Sequence, residues 1–408
     1  MKDSGTEKPY YAPLPISDLS EHIEILPLAE STDKLEAIES VTQHILDTRP
    51  YNDKPAWKIV VLPLKCPDSR DSSRCFIAFS FSHAVGDGIS GLAFHKSFLA
   101  GLQDPLSSSN LTPADGAMPE PFDTKKNLPI SLSYLLAPAL GQYLPKFISR
   151  ALGMRAAVST TSASTWLGNG KVFFDENDHR SGARIFKLDG AIVSKLVEGC
   201  REHDTKLTSL LHQIIIHALS TSLSADDGID NFASQTAINM RHHVDVPNDT
   251  MGLYVTGFFD VHPRTTDMGG IWQAAKEMNE RLYECSSRLE NQSIGLLRYL
   301  ISMRSWTEGK LGGPKDSSYE LSNLLAFDPG AQPENPKWAL GNMVFAQPAN
   351  VTGSPLVINV VARKEADLVC TITWQIGALG IEDERAEYAF VDKVIEAAVK
   401  CASQIASM

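Results

Sequence analysis

The sequence lacks any long hydrophobic run. A membrane span needs roughly 18 uninterrupted apolar residues, but residues 214–219 are too few and residues 128–148 are broken by Pro129, Pro138 and Pro145. No membrane span is expected. Clustered cysteines are lacking too: Cys66, Cys75, Cys200, Cys285, Cys370 and Cys401 stand far apart and never as CxxC. That excludes a zinc framework built on thiolate pairs and fits a reduced, cytoplasmic compartment. The polar start MKDSGTEKPYYAPLP has no apolar stretch of the secretory kind behind its charges. Basic charge is in deficit, with 37 Lys and Arg against 49 Asp and Glu for a net charge of −12. The averaged field therefore repels polyphosphate backbones, and nucleic acid is not an expected partner. Neither a repeat of about 20 to 50 residues nor an extended low-complexity tract is visible.

What is present is ordinary globular material. The 408 residues are 43% hydrophobic and 21% charged, enough for two to four core-forming units and too apolar for wholesale disorder. A helix is expected from Asp33, with Glu36 as its capping-box partner and Leu35, Ile38, Val41 and Ile45 on one stripe. Strands are expected at 57–64 and 74–82, the latter with Cys75, Ile77, Phe79 and Phe81 on one face. Gly86 and Gly88 break that strand, and 89–102 reads as a helix apolar on most sides and hence buried. Residues 103–130 and 157–170 read as loops around a helical segment at 131–152, together forming a crossover at 103–170. The expected organisation is an N-terminal subdomain at 1–170 and a C-terminal one at 171–408.

In the second half, strands are expected near 184–188, 234–240, 252–261, 319–327, 337–347, 355–362 and 368–376. Helices are expected at 191–203, from an N-cap at Thr208, through Trp272 to Leu289, and at the C-terminus. The mixture predicts an α/β or α+β fold in two subdomains, each a mixed sheet with helices against it.

Phe79 to Gly91, FSFSHAVGDGISG, carries the chemistry. Gly86, Gly88 and Gly91 satisfy GxGxxG, yet Asp87 would face the pyrophosphate, and the Pro/Ser-rich loop around Asp104 stands where an acidic strand end is required. A metal site on His83 and Asp87 lacks a local third ligand: His95 falls in the following helix, and His242 and His243 read as a solvated turn. The third reading makes His83 a general base at a strand end, facing a cleft and taking a proton from an incoming nucleophile. Asp87 then pairs with an arginine, and Gly88 supplies a backbone conformation closed to other residues. Against it stands an ordinary strand-end histidine before an Asp-Gly turn.

His83-Ala-Val-Gly-Asp87-Gly88 resembles the HxxxDG motif of the chloramphenicol acetyltransferase-like superfamily. Residues 54–64 (KPAWKIVVLPL) resemble the tryptophan-bearing strand upstream of the motif in fungal alcohol acetyltransferases, and 88–99 the helix after it. Asn239-Met-Arg241, Met251-Gly252-Leu-Tyr254 and Ser322-Asn323-Leu324 are similar to that branch's Asn-x-Arg, glycine-bearing and Ser-Asn strands. The paired histidine of condensation domains is replaced by Ser82, and the DFGWG motif of plant BAHD enzymes is missing.

The resemblance implies two similar subdomains with an active-site tunnel at their interface. It also implies acyl transfer from an acyl-CoA co-substrate to the hydroxyl of a small-molecule alcohol, with no permanently bound cofactor and no metal. His83 and Asp87 become the catalytic pair, with Gly88 and Arg241 supporting their loop and Ser322 and Asn323 contacting oxyanion or substrate. A GxSxG elbow is absent, so no acyl-enzyme is expected. A carrier-protein donor, an amine acceptor and a non-catalytic binding protein remain alternatives. Residues 128–148 read as a lid over the acceptor entrance. The family's usual opening strand and helix precede the counterpart of residues 8–15, so an uncovered sheet edge and a homodimer through it are expected.

Overall fold

The computed structural model describes residues 18–29, 31, 33–48, 55–65, 74–104, 121–140 (backbone alone at 137–140), 161–330, 336–348, 350–364 and 366–408. The chain divides into two compact units. The first comprises Met1–Pro121, Val246–Tyr254 and Phe327–Gly341; the second comprises Phe122–Asp245, Val255–Ala326 and Asn342–Met408.

Among the described residues, the first unit is built on three strands in the order β1 (Ile23–Ile25), β2 (Trp57–Leu64), β3 (Arg74–Phe81). The β2 sequence WKIVVLPL is β-branched and apolar, as a half-buried strand requires, and it pairs antiparallel with β3 so that Trp57 lies opposite Phe81 and Ile59 opposite Phe79. Helix α1 (Lys34–Asp47) starts where Asp33 accepts hydrogen bonds from Leu35 N (2.8 Å) and Glu36 N (3.5 Å). Glu36 does not complete a capping box; it accepts from Ser31 Oγ at 2.6 Å. The apolar stripe of α1 packs Ala37 and Val41 with Leu62, Leu64 and Phe76. Against β3, helix α2 (Gly88–Gln103) lays Phe94 flat on Phe79, with centroids 3.8 Å apart. Because helices contact side chains of both parities, β3 shows no alternation between solvent and core, and only Arg74 and Cys75 are exposed.

Two expectations change here. Helix α2 is not buried all round, since only Ser90, Ala93 and Leu99 are, while Phe94, Phe98 and Leu102 line an open groove of about 430 Å³. The edge of β2 does not lie open either. Strand β1 runs parallel to it, Ile23 opposite Ile59, and Leu26 N and Ala29 N continue the pairing to Val61 O and Pro63 O at 2.9 and 3.0 Å. Three residues carry no readable period, which is why the sequence pattern misses this strand.

In the second unit α3 (Leu132–Leu140) is the described part of the expected 131–152 helix and 128–148 lid; residues 141–152 lie outside the described residues. Strands β4 (Ser181–Leu188), β5 (Asn231–Asn239), β6 (Val255–Pro263), β7 (Tyr319–Phe327), β8 (Leu356–Arg363) and β9 (Leu368–Gln375) form a mixed sheet in the order β4-β9-β8-β7-β5-β6. Pairs β4–β9, β8–β9 and β5–β6 are antiparallel and β5–β7 is parallel. Helices α4 (Gly190–Glu202), α5 (Leu207–Ser222), α6 (Ile271–Ser286) and α8 (Glu384–Ile405) supply the core with the sheet, and α7 (Met303–Glu308) is a short exposed turn of helix. Helix α5 is buried almost all round, in keeping with Leu210, Leu211, Ile214, Ile215, Ile216, Ala218 and Leu219.

Three boundaries are corrected. Thr208 does not cap α5: the cap position is Lys206, without a side-chain bond, and Thr208 lies in the first turn. The strand expected at 252–261 begins only at Val255. Residues 337–347 form no strand; at their end Gln347 is held through side-chain bonds. Its Nε2 donates to Asn359 Oδ1 (2.9 Å) and its carbonyl accepts from Thr373 Oγ1 (2.9 Å).

Candidate active site

Strand β3 ends where Ser82 N donates to Ala56 O (2.8 Å), and the chain then turns, with Val85 N on Ser82 O (3.0 Å) and Ala84 N on Ser82 Oγ (3.3 Å). His83 occupies this turn and is exposed. Four residues on, Asp87 is buried (4% exposed) and caps α2. Its Oδ1 accepts from Ser90 N and Ser90 Oγ (both 3.1 Å), while its own N–H donates to Ser90 Oγ at 3.2 Å. The reciprocal pair is a capping box with serine in the third position.

A second set of bonds fastens this cap to a segment 162 residues away in the chain. Asp87 Oδ2 accepts from Tyr254 N (2.9 Å), Asp87 N donates to Gly252 O (3.1 Å), and Ser90 Oγ contacts both Gly252 O and Gly252 N at 3.0 Å. Gly252 has φ +154°, and a Cβ on it would lie 2.7 Å from Tyr254 Cε2, so no other residue fits there without strain. Sequence reasoning marked the Met251-Gly252-Leu-Tyr254 stretch by resemblance but did not name Ser90, Gly252 or Tyr254 as site residues. The Asp-x-x-Ser spacing was the available signal.

The glycine assignment needs correction. Gly88 opens α2 without a positive φ, so the conformational licence expected of it is not used. Gly86 is the constrained position: a Cβ there would stand 3.0 Å from both Phe81 Cε2 and Ser90 Cβ. The turn is therefore pressed onto the end of β3. His95, on α2, is a neutral imidazole whose pKa burial lowers to about 4.

The remaining expected residues lie in the second unit. Arg241 is fully buried (0%) at the start of a short 3₁₀ turn, and Asn239 Oδ1 accepts from its N–H (3.1 Å) and Nη1 (3.3 Å). His242 is exposed, whereas His243 is half-buried with Nε2 2.5 Å from Ser286 O, so only one of the pair fits a solvated turn. Ser322 and Asn323 sit on β7. Ser322 is buried, and the Asn323 amide is engaged at both ends, Nδ2 donating to Thr208 Oγ1 (3.1 Å) and Oδ1 accepting from Leu325 N (2.8 Å).

Five described cysteines are free and none resembles an activated thiol; Cys66 lies outside the described residues. Burial raises the thiols of Cys370 and Cys401 to about 12 and that of Cys200 to about 11, and it also raises Cys75 and Cys285. A thiolate nucleophile requires the opposite shift. No helix among the described residues is long and apolar enough to cross a membrane.

Comparison with known proteins gives the same direction. The probable alcohol acetyltransferase crmB of Aspergillus fumigatus is 24% identical, over 92% of this chain and 82% of its own length. The probable alcohol acetyltransferase FCK4 of Fusarium pseudograminearum is 23% identical, over 92% and 77%. Among solved structures, the TRI3 trichothecene 15-O-acetyltransferase of Fusarium sporotrichioides superposes with a TM-score of 0.58 at 13% identity, covering 93% of this chain and 77% of that one. That likeness supports the fold, a mixed α/β architecture of the chloramphenicol acetyltransferase-like kind. The family model for alcohol acetyltransferase matches residues 30–392, and the chain therefore belongs to the alcohol acetyltransferase family of O-acyltransferases.

Proposed function

We propose that the protein transfers an acyl group from a coenzyme A thioester to the hydroxyl of a small alcohol, with His83 as the general base. The observation that carries this reading is the contrast within one turn: an exposed imidazole at position 83 beside a carboxylate at position 87 that is buried and already committed to the protein. Asp87 then acts by fixing the loop, and the proton transfer falls to His83. The imidazole takes the hydroxyl proton as the oxygen forms its bond to the thioester carbonyl carbon. The tetrahedral intermediate expels the thiolate as the C–S bond breaks, and the imidazolium returns the proton to sulfur. The thioester supplies the activation, so no acyl-enzyme is needed, in accord with raised thiols among the described cysteines.

Arg241 is assigned the support of the Asp87 loop from its place in the Asn239-Met-Arg241 stretch. A double-mutant cycle on Asp87 and Arg241 tests this; additive losses would remove the assignment. Ser322 is retained as a candidate oxyanion donor, whereas the Asn323 amide already has protein partners and serves β7 and the Leu325 turn. Donor and reaction are tested together by mixing the full chain with acetyl-CoA and following free thiol with and without a panel of alcohols. Release that depends on the alcohol is expected. Thiol release unaffected by any acceptor would make the protein a hydrolase, and binding of the thioester without release would make it a binding protein.

A further inference from the structure

The six-residue motif singles out His83, Asp87 and Gly88 and passes over Ser90, which lies just beyond it in the first turn of α2. Ser90 is fully buried (0% exposed), and its Oγ stands within hydrogen-bond distance of Asp87 N (3.2 Å), Asp87 Oδ1 (3.1 Å), Gly252 N (3.0 Å) and Gly252 O (3.0 Å). A hydroxyl has one hydrogen and two lone pairs. The two N–H groups donate to the oxygen, and the hydrogen goes either to the Asp87 carboxylate or to the Gly252 carbonyl. Each choice leaves Ser90 bonded to both partners, one in the α2 cap and the other 162 residues further along the chain.

The distant partner has little of its own to hold it. Val246–Tyr254 belongs to the first unit, while Asp245 and Val255 on either side belong to the second. It contains turns and bends but no helix or strand, and β6 begins only after it. Its bonds to the cap are those of Ser90 together with Asp87 N to Gly252 O and Tyr254 N to Asp87 Oδ2.

Packing gives a second, independent indication. A Cβ on Gly86 would lie 3.0 Å from Ser90 Cβ and 3.1 Å from Ser90 Oγ. Ser90 therefore meets the His83 turn by close contact and the Gly252 stretch by hydrogen bonds. The residue type fits both tasks. Glu or Gln is usual at this place in a capping box, but a glutamate would set a second carboxylate beside buried Asp87 and bring a longer side chain into a closed position. Serine makes the reciprocal bond and keeps acceptor capacity for Gly252 N.

We propose that Ser90 is a positioning residue for the transfer reaction: its hydroxyl ties the Gly252 stretch to the Asp87 cap and so holds the turn that carries His83 in one conformation. The inference rests on the acyl-transfer reading with His83 as general base. Ser90 is closed off from solvent and acts through the backbone of residues 83–87.

The test compares wild type, Ser90→Ala and Ser90→Cys, each with His83 intact and with His83→Ala, by acceptor-dependent thiol release from acetyl-CoA at equal concentrations of folded protein. Ser90→Ala is expected to lower kcat by about 10- to 100-fold while KM for thioester and alcohol changes by less than about twofold, because a loosened base slows proton transfer without removing a substrate contact. Ser90→Cys has nearly the same shape with a weak donor and a weak acceptor, so its kcat should fall between the two. In the His83→Ala background the serine change should cost little more, since the base it positions is gone.

A Ser90→Ala protein with wild-type kcat would overturn the proposal. So would equal losses with and without His83, which would mark Ser90 as a general support of the fold. If Ser90→Ala does not fold, Ser90→Cys carries the same comparison. Wild type without acceptor-dependent release, or a His83→Ala protein as fast as wild type, would sink the acyl-transfer reading and this inference with it. Release that His83→Ala removes and the Ser90 variants leave unchanged would sink this inference alone.

Discussion

His83 in the first unit and His212 in the second set the same side chain in opposite surroundings. His83 rides an exposed turn just past the end of β3. His212 lies in the middle of α5 with both ring nitrogens engaged, Nδ1 with Tyr319 Oη (2.8 Å) and Nε2 with Thr236 Oγ1 (2.9 Å). Beside it His262 is bonded through Nε2 to Ser234 Oγ (2.9 Å), the two rings 5.7 Å apart. Burial holds both of these rings neutral, His212 well below its ordinary value and His262 at about 4. A histidine on a helix between apolar neighbours is thus consumed by its environment, while the one on the glycine-flanked turn is left exposed, as the proposed general base requires.

The contrast can be broken by substitution. His212→Leu removes the partner of Thr236 and one partner of Tyr319 in a closed space, and the stability loss should be the largest of this set, about 2–4 kcal/mol. Chemical denaturation measures it, and turnover per folded molecule should stay near wild type. A large fall in turnover without a fall in stability would mean that the buried network takes part in the reaction.

Gly252→Ala comes next, at about 1–3 kcal/mol, because its φ of +154° and the 2.7 Å approach to Tyr254 leave no place for a methyl group. Unlike His212→Leu, it should lower turnover as well, since the Asp87 cap is fastened to the Gly252 backbone. An unchanged melting curve for Gly252→Ala would show that the segment yields.

Asp87→Asn should cost about 1–2 kcal/mol, because an amide presents an N–H₂ where one carboxylate oxygen now accepts from Ser90 N or Tyr254 N. Its loss of turnover should fall short of that of His83→Ala. If the two losses were equal, Asp87 would have a chemical part.

The comparison can also be sharpened without substitution, through a pH dependence of stability in the second unit. Unfolded histidines bind protons near pH 6.5, whereas burial lets folded His262 do so only near 4 and holds His212 well below its ordinary value. Unfolding therefore takes up protons between those values. The stabilisation is complete above about pH 6.5 and is lost as pH falls toward 4. Around His262, Asp260 opposes the drop and Arg281 adds to it, so Asp260→Asn should steepen the acid decline. A melting temperature flat between pH 7 and 5 would contradict buried neutral rings.

Much of this was legible in the sequence, for reasons that follow the range of each interaction. Strands β2 and β3 and helix α2 announce themselves through local apolar period and glycine breaks, and His83 and Asp87 through a six-residue motif. The purpose of Asp87 was not legible, because Tyr254 N and Gly252 O reach it from 162 residues or more away and are backbone groups without a residue signature. Residues 337–347 misled because WALGNMVF has strand composition, while the contacts of Gln347 with Asn359 and Thr373 that fix its end are made by side chains.

Whether His83 moves the proton is decided by acceptor-dependent release of thiol from acetyl-CoA, measured side by side for wild type and His83→Ala at equal concentrations of folded protein, with the ester identified by mass spectrometry. An exposed turn residue should be removable without a change in melting temperature, and the rate of ester formation should fall by about 10² to 10⁴. Ester formation near the wild-type rate by a folded His83→Ala protein would contradict the assignment and return the exposed imidazole to an ordinary strand end.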